Sequence, residues 1–172
     1  MEAHEAMLRV PEVYEECRQA FRDVFDRDPG APLETFHTED AETVLVASAT
    51  VATTARDVVS RRRAAGEKVG LVKMRMFRPF PEEALRNACA SASRVGVLDR
   101  DYAAGVGGVW WQDTRAAFQG HREDLLIQDY LLGIGGGDVT PETIERVLDD
   151  LGTREKAGPP QWADVRREGV VA

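Results

Sequence analysis

Two glycine-rich loops and a set of arginines and aspartates next to apolar runs are the parts of this 172-residue chain whose types and spacing could do chemistry. The loops read Gly105-Val106-Gly107-Gly108 and Gly133-Ile134-Gly135-Gly136-Gly137-Asp138. Loops of this kind cradle phosphate when successive amides converge, and two spacings mark them: G-x-G-x-x-G after the first strand, or a Gly-Lys-Ser/Thr ending. The first loop lacks the third glycine, the second holds Asp138 in its place, and neither ends in Gly-Lys-Ser/Thr. The first strand runs instead into Ala49-Thr50-Val51-Ala52. Glycines that allow positive φ and close packing at strand-to-helix turns are therefore the favoured reading.

Arg75, Arg78 and Arg100 fall after strands, where they could converge and hold an anion or an acidic partner segment. Ordinary surface arginine is the competing reading, and spacing alone leans towards it. Asp99 and Asp101 flank Arg100 and could neutralise it locally. His4, His37 and His121 have no ligand spacing, and no nucleophile, acid–base pair or metal set can be assembled from the sequence. Cys17 and Cys89 are too far apart for a C-x-x-C, and each lies on an apolar helix face, which predicts buried thiols and a reducing, cytoplasmic setting. The net charge of −8 argues against nucleic acid as a partner. A polar, acidic start and the lack of a long apolar run argue against a targeting segment and a membrane span.

The elements that must position these residues are legible in the periodicities. Pro11 opens a helix over residues 11–26 whose apolar positions, Val10, Val13, Tyr14, Cys17, Phe21, Val24 and Phe25, share one face. That face must bury against something, and Asp28-Pro29-Gly30-Ala31-Pro32 ends the helix. From residue 41, strands and helices alternate. The strands are Thr43–Ser48, Val69–Met74, Val95–Leu98 and Leu125–Tyr130, and helices follow over 50–65, from Pro81, from Val109 to Phe118, and from Pro141 behind a Thr140 cap. Arg61-Arg62-Arg63 lie in the last turn of the 50–65 helix, where they offset its dipole and solvate the surface, and Gly66 caps it. Four successive βα units with near-continuous apolar strands predict a three-layer, open, mostly parallel sheet with helices on both faces. The expected division is a helix and linker over 1–32, the α/β domain over 33–152 and a C-terminal arm over 153–172, with the charged segment after Gly152 as an arm or frayed end.

The stretch from Gly66 to Pro81, with its Arg78-Pro79-Phe80-Pro81 turn, resembles the second domain of the alpha subunit of pyruvate:ferredoxin oxidoreductase and related 2-oxoacid:acceptor oxidoreductases. Thr38 to Val46, Val97-Leu98-Asp99-Arg100 with Gly105 to Gly108, and Gly135 to Pro141 follow the same likeness in order. The N-terminal helix resembles the segment that joins this domain to the preceding one, so the likeness covers roughly residues 1–151. The resemblance implies a transketolase C-terminal-like fold within an enzyme that oxidatively decarboxylates a 2-oxoacid to an acyl-CoA and passes electrons to ferredoxin. It implies thiamine diphosphate, magnesium, iron–sulfur clusters and CoA for the whole complex, none of them held by this chain. Partner subunits or domains would bind the thiamine cofactor and the clusters, with ferredoxin reached indirectly.

No catalytic residue carries over by the resemblance. The expectation is a non-catalytic assembly domain or subunit, with Arg75, Arg78, Asp99, Arg100, Gly105, Gly107 and Gly108 as contacts across its interface. The C-terminal domain of another thiamine enzyme, of transketolase or 2-oxoacid dehydrogenase type, and a free-standing ligand-binding module are the alternatives.

Overall fold

The computed structural model describes residues 1–164, and its elements begin with two helices, α1 (Glu2–Leu8) and α2 (Val10–Phe25). The chain then enters a sheet of six strands. They are β1 (Leu33–Phe36), β2 (Thr43–Ser48), β3 (Val69–Met74), β4 (Arg94–Asp99), β7 (Leu126–Leu131) and β8 (Gln161–Trp162), and β5 (Tyr102–Ala103) and β6 (Gly107–Gly108) form a separate small hairpin. The sheet order is β1-β3-β2-β4-β7-β8, with β1 antiparallel and the rest parallel. Four helices complete the βα units: α3 (Ala49–Ala64), α4 (Glu82–Ala88), α5 (Val109–Phe118) and α6 (Pro141–Thr153). The expected open, mostly parallel sheet between helical layers is the fold observed.

Alternation along each strand sorts the core into two layers. Val44, Val46, Val72, Val95, Val97 and Ile127 pack with Leu85 and Cys89 from the α4 segment and Phe118 from α5. Leu45, Leu71, Leu98 and Tyr130 turn the other way, onto Ala55, Val58 and Val59 of α3 and Ile144, Val147 and Leu151 of α6. Arg62 ties those two outer helices together, reaching Asp149 at 2.6 Å and also pairing with Glu145. The arginine triplet thus does more than offset a dipole: Arg63 donates to the carbonyls of Val69 and His37, both at 2.6 Å.

Three expectations change. Residues 33–36 were not expected as a strand, yet they pair Leu33 with Met74 through Phe36 with Leu71. The segment after Gly152 is not frayed up to residue 164: Gln128, buried in β7, accepts from the Gly158 amide at 2.8 Å and donates to the Pro159 carbonyl at 3.0 Å. That pinning sets β8 alongside β7. Cys89 is buried as expected, but Cys17 is exposed. The amphipathic period of α2 is real, yet none of its residues is buried, and Val24 and Phe25 stand 73% and 61% exposed. What holds α2 is polar: Tyr14 donates to the Gly30 carbonyl at 2.9 Å, and Arg18 forms a two-pronged pair with Asp28.

Close packing leaves no room for a side chain at Gly96 in the central strand β4. A β-carbon there would sit 2.8 Å from Leu151 and 3.1 Å from Leu45. Gly96→Ala is expected to lower stability by about 1–3 kcal/mol through overpacking, read as a shift in urea midpoint with an unchanged denaturant slope.

Candidate functional site

The carboxyl ends of the parallel strands carry the segments in which sequence reasoning placed chemistry. At the end of β4, Asp99 turns inward rather than towards Arg100. It is fully buried, and its Oδ1 and Oδ2 accept from the backbone amides of Trp110 at 3.2 Å and Trp111 at 2.9 Å. These are orphan donors of the first turn of α5, whose cap position is Gly108, a residue with no side-chain oxygen to offer. A tertiary carboxylate thus does the capping, and its charge suits the positive end of the helix.

Asp129 of β7 lies beside it. Val97 pairs with Asp129 across the two strands, so Asp99, two residues further on, faces the same layer. Asp129 is also fully buried, and its Oδ2 accepts from the Gly108 amide at 2.7 Å, whereas its Oδ1 has no partner among the described residues. Burial pushes the Asp99 carboxyl up to about 7 against the two amide bonds, and the neighbouring Asp129 charge adds to the push. Burial raises Asp129 as well, against the Gly108 amide.

The glycines follow from this clamp. Gly107 has φ 136°, and a β-carbon on Gly108 would lie 2.1 Å from Asp99 Oδ2. Gly105, exposed at the tip between β5 and β6, has φ 81° but open space around it. Beyond the hairpin, Trp110 packs on Phe77 at 4.8 Å and on Phe80 at 6.2 Å. The Arg-Pro-Phe-Pro turn and the glycine loop therefore meet through α5.

The three arginines do not share a partner. Arg75 pairs with Glu34 at 2.5 Å and reaches the Ala31 carbonyl. Arg78 lies 3.9 Å over the Phe77 ring and pairs with Asp113 at 2.9 Å, half exposed. Arg100 donates to the Gly133 carbonyl at 3.2 Å. Sequence reasoning gave no role to Asp129, although two polar residues, Gln128 and Asp129, inside an otherwise apolar buried strand were a signal that both hold something.

The residues of this edge do not fit a magnesium–diphosphate group or an iron–sulfur cluster. Both carboxylates are engaged with backbone amides beneath the surface. Cys89 is a buried thiol pushed up to about 12 by burial, and Cys17 stands on α2. Among the described residues no cluster of three or more metal-ligating side chains forms. What the arrangement does is rigidify: it fixes a hairpin and a helix on the strand ends. It holds Tyr102 (44% exposed) and Val106 (53%) outward, with Tyr102 set edge-on to Trp162 at 5.3 Å.

Such a fold and edge define a three-layer α/β domain with its glycine hairpin and α5 fixed on the strand ends. Residues 41–144 match the family described as pyruvate:ferredoxin oxidoreductase core domain II, and the chain belongs to that family. It is 36% identical over 167 residues to the pyruvate synthase subunit PorA of Methanothermobacter thermautotrophicus, covering 97% of this chain and 42% of that relative. Against the ketoisovalerate oxidoreductase subunit VorA of Pyrococcus horikoshii, identity is 29%, over 86% of this chain and 39% of the relative. The chain thus spans about two-fifths of these relatives' length. Among solved structures, a 2-oxoglutarate:ferredoxin oxidoreductase from Magnetococcus marinus shares the fold, with TM-score 0.52 and 18% identity over 86% of this chain and 23% of that one.

The two loop glycines are separable by experiment. Gly108→Ala is expected to cost about 3 kcal/mol, the upper end for overpacking, whereas Gly105→Ala pays only the left-handed backbone cost of about 1–2 kcal/mol. Urea unfolding of both variants, followed by tryptophan fluorescence, checks the order.

Proposed function

We propose that this chain is the non-catalytic assembly part of an alpha-type subunit in a thiamine-diphosphate-dependent 2-oxoacid:ferredoxin oxidoreductase, with pyruvate as the oxoacid. In that enzyme the 2-oxoacid is oxidatively decarboxylated to an acyl-CoA and electrons pass to ferredoxin. Thiamine diphosphate, magnesium, the iron–sulfur clusters and CoA are held by partner subunits or domains. The carrying observation is the family match over residues 41–144. It is supported by a strand-end edge whose buried carboxylates are committed to backbone amides.

Residues 33–152 form the module in this reading, with 1–32 as the connecting helix and 153–172 as the C-terminal arm. The edge presents Arg78, Tyr102 and Val106 to the thiamine-binding partner, and the uncovered apolar face of α2 ties the module to the assembly. Relatives named for pyruvate and for ketoisovalerate both align with this domain, which supports placing the choice of oxoacid elsewhere. Among the described residues no helix is long and apolar enough to cross a membrane, consistent with a cytoplasmic enzyme.

A pull-down of the chain from its native extract is expected to recover thiamine-binding and iron–sulfur proteins. 2-Oxoacid-dependent ferredoxin reduction should accompany that complex and not the isolated chain. Turnover by the chain alone would overturn the reading. Arg78→Ala is expected to weaken partner binding about tenfold, the scale of a charge-assisted contact of about 1.5 kcal/mol. The fold should be unaffected, since an exposed pair such as Arg78–Asp113 contributes at most about 1 kcal/mol. Titration of partner into the variant, with circular dichroism as the folding control, measures both.

A further inference from the structure

Asp99 and Asp129 form a pair that packing alone does not explain. Both are fully buried on neighbouring strands, facing the same layer. The point where a Gly108 side chain would begin lies 2.1 Å from Asp99 Oδ2 and 2.7 Å from Asp129 Oδ1, so the two oxygens converge on one gap left by a glycine. Both oxygens of Asp99 and one of Asp129 accept backbone amides, while Asp129 Oδ1 accepts nothing.

Among the described residues the surroundings bring no positive charge to balance two carboxylates. From α5 come the amides of Trp110 and Trp111, and Arg115 of that helix lies over the Trp111 ring at 4.7 Å. The hairpin contributes Gly107 and Gly108, and the segment leading into β8 brings Pro160 against Gly107. The next charged groups along the loop are Asp101, whose charge opposes ionisation of Asp99, and Arg100, which is turned to the Gly133 carbonyl. Among the described residues neither aspartate forms an ion pair.

We propose that the pair holds one proton, seated on Asp129 Oδ1 and donated towards Asp99 Oδ2, and that this proton latches the glycine hairpin and the start of α5 onto the strand ends. A buried carboxyl oxygen without a donor is satisfied when it carries the donor itself. Two close carboxylates in a dry site share a proton because both cannot ionise. Loss of that proton to solvent leaves two negative charges facing each other, and the hairpin bearing Tyr102 and Val106 loosens. The upward displacement of both groups by burial agrees with this.

The sign is definite. A carboxyl that binds its proton more tightly folded than unfolded gives stability that is full below the unfolded value, about 3.9. That stability is lost as pH rises through the folded value, which burial holds above the ordinary aspartate range for both carboxyls. The unfolding constant of the full chain is expected to rise by up to about tenfold per pH unit as pH climbs above the ordinary aspartate range. Asp129→Asn places an amide N–H where the proton sits, and is expected to abolish the part of that slope due to the pair. It should also keep Gly108 and Trp111 amide exchange slow at pH 8, where the parent protein exchanges faster.

Equal pH slopes for parent and variant overturn the proposal. If Asp129→Asn does not fold, the carboxyl carbon resonance of Asp129 in the parent protein decides. Titration well above the ordinary aspartate range supports the latch, and titration at or below that range overturns it.

Discussion

Two carboxylates at the ends of adjacent parallel strands are buried without a cation among the described residues, and much of the carboxyl edge follows from how that is solved. Both oxygens of Asp99 and one of Asp129 accept backbone amides, and the Gly108 amide can approach only because that residue has no side chain in the way. That requirement selects Gly107 and Gly108, sets the start of α5 directly over β4, and gives a helix with a glycine at its cap position a charged cap from elsewhere in the fold. Once α5 is placed, Trp110 meets Phe77 and Phe80, and the Arg-Pro-Phe-Pro turn is fixed in the same step. The edge is rigid because it is built from the inside outward.

This construction suits a surface that another body packs against. A loop held by interior amide bonds loses little conformational freedom on docking, so less of the contact energy is spent on ordering it. The groups it exposes, Tyr102, Val106 and Arg78, are of the kinds that interfaces use well, amphipathic aromatic and planar cation among them. The polar anchoring of α2 through Tyr14 and Arg18 leaves its apolar face uncovered among the described residues, and the connecting role proposed for it would give that face a place to bury.

The parallel strands were legible because a strand covered on both faces is a nearly unbroken apolar run, and the helices were legible from their caps and stripes. β1 was not, because its four residues, none of them buried, sit beside a breaker cluster and owe their form to pairing with β3. Cys17 was misread because periodicity shows which face is apolar and not whether the partner belongs to the same chain. The role of Asp99 was hidden for a different reason: its amide partners lie 11 and 12 residues away across a hairpin, and no local pattern encodes that contact. Asp129 left a trace, a charge inside a buried strand, but its meaning depends on Asp99 being beside it.

Hydrogen–deuterium exchange of the chain alone and within the assembled oxidoreductase addresses most directly the claim that this is an assembly domain docking by its carboxyl edge. Protection on assembly at residues 75–81 and 100–106, together with the apolar face of α2, is the predicted result. Protection confined to the opposite end of the sheet, at residues 66–68, 90–93 and 122–125, with the hairpin unchanged, would contradict it.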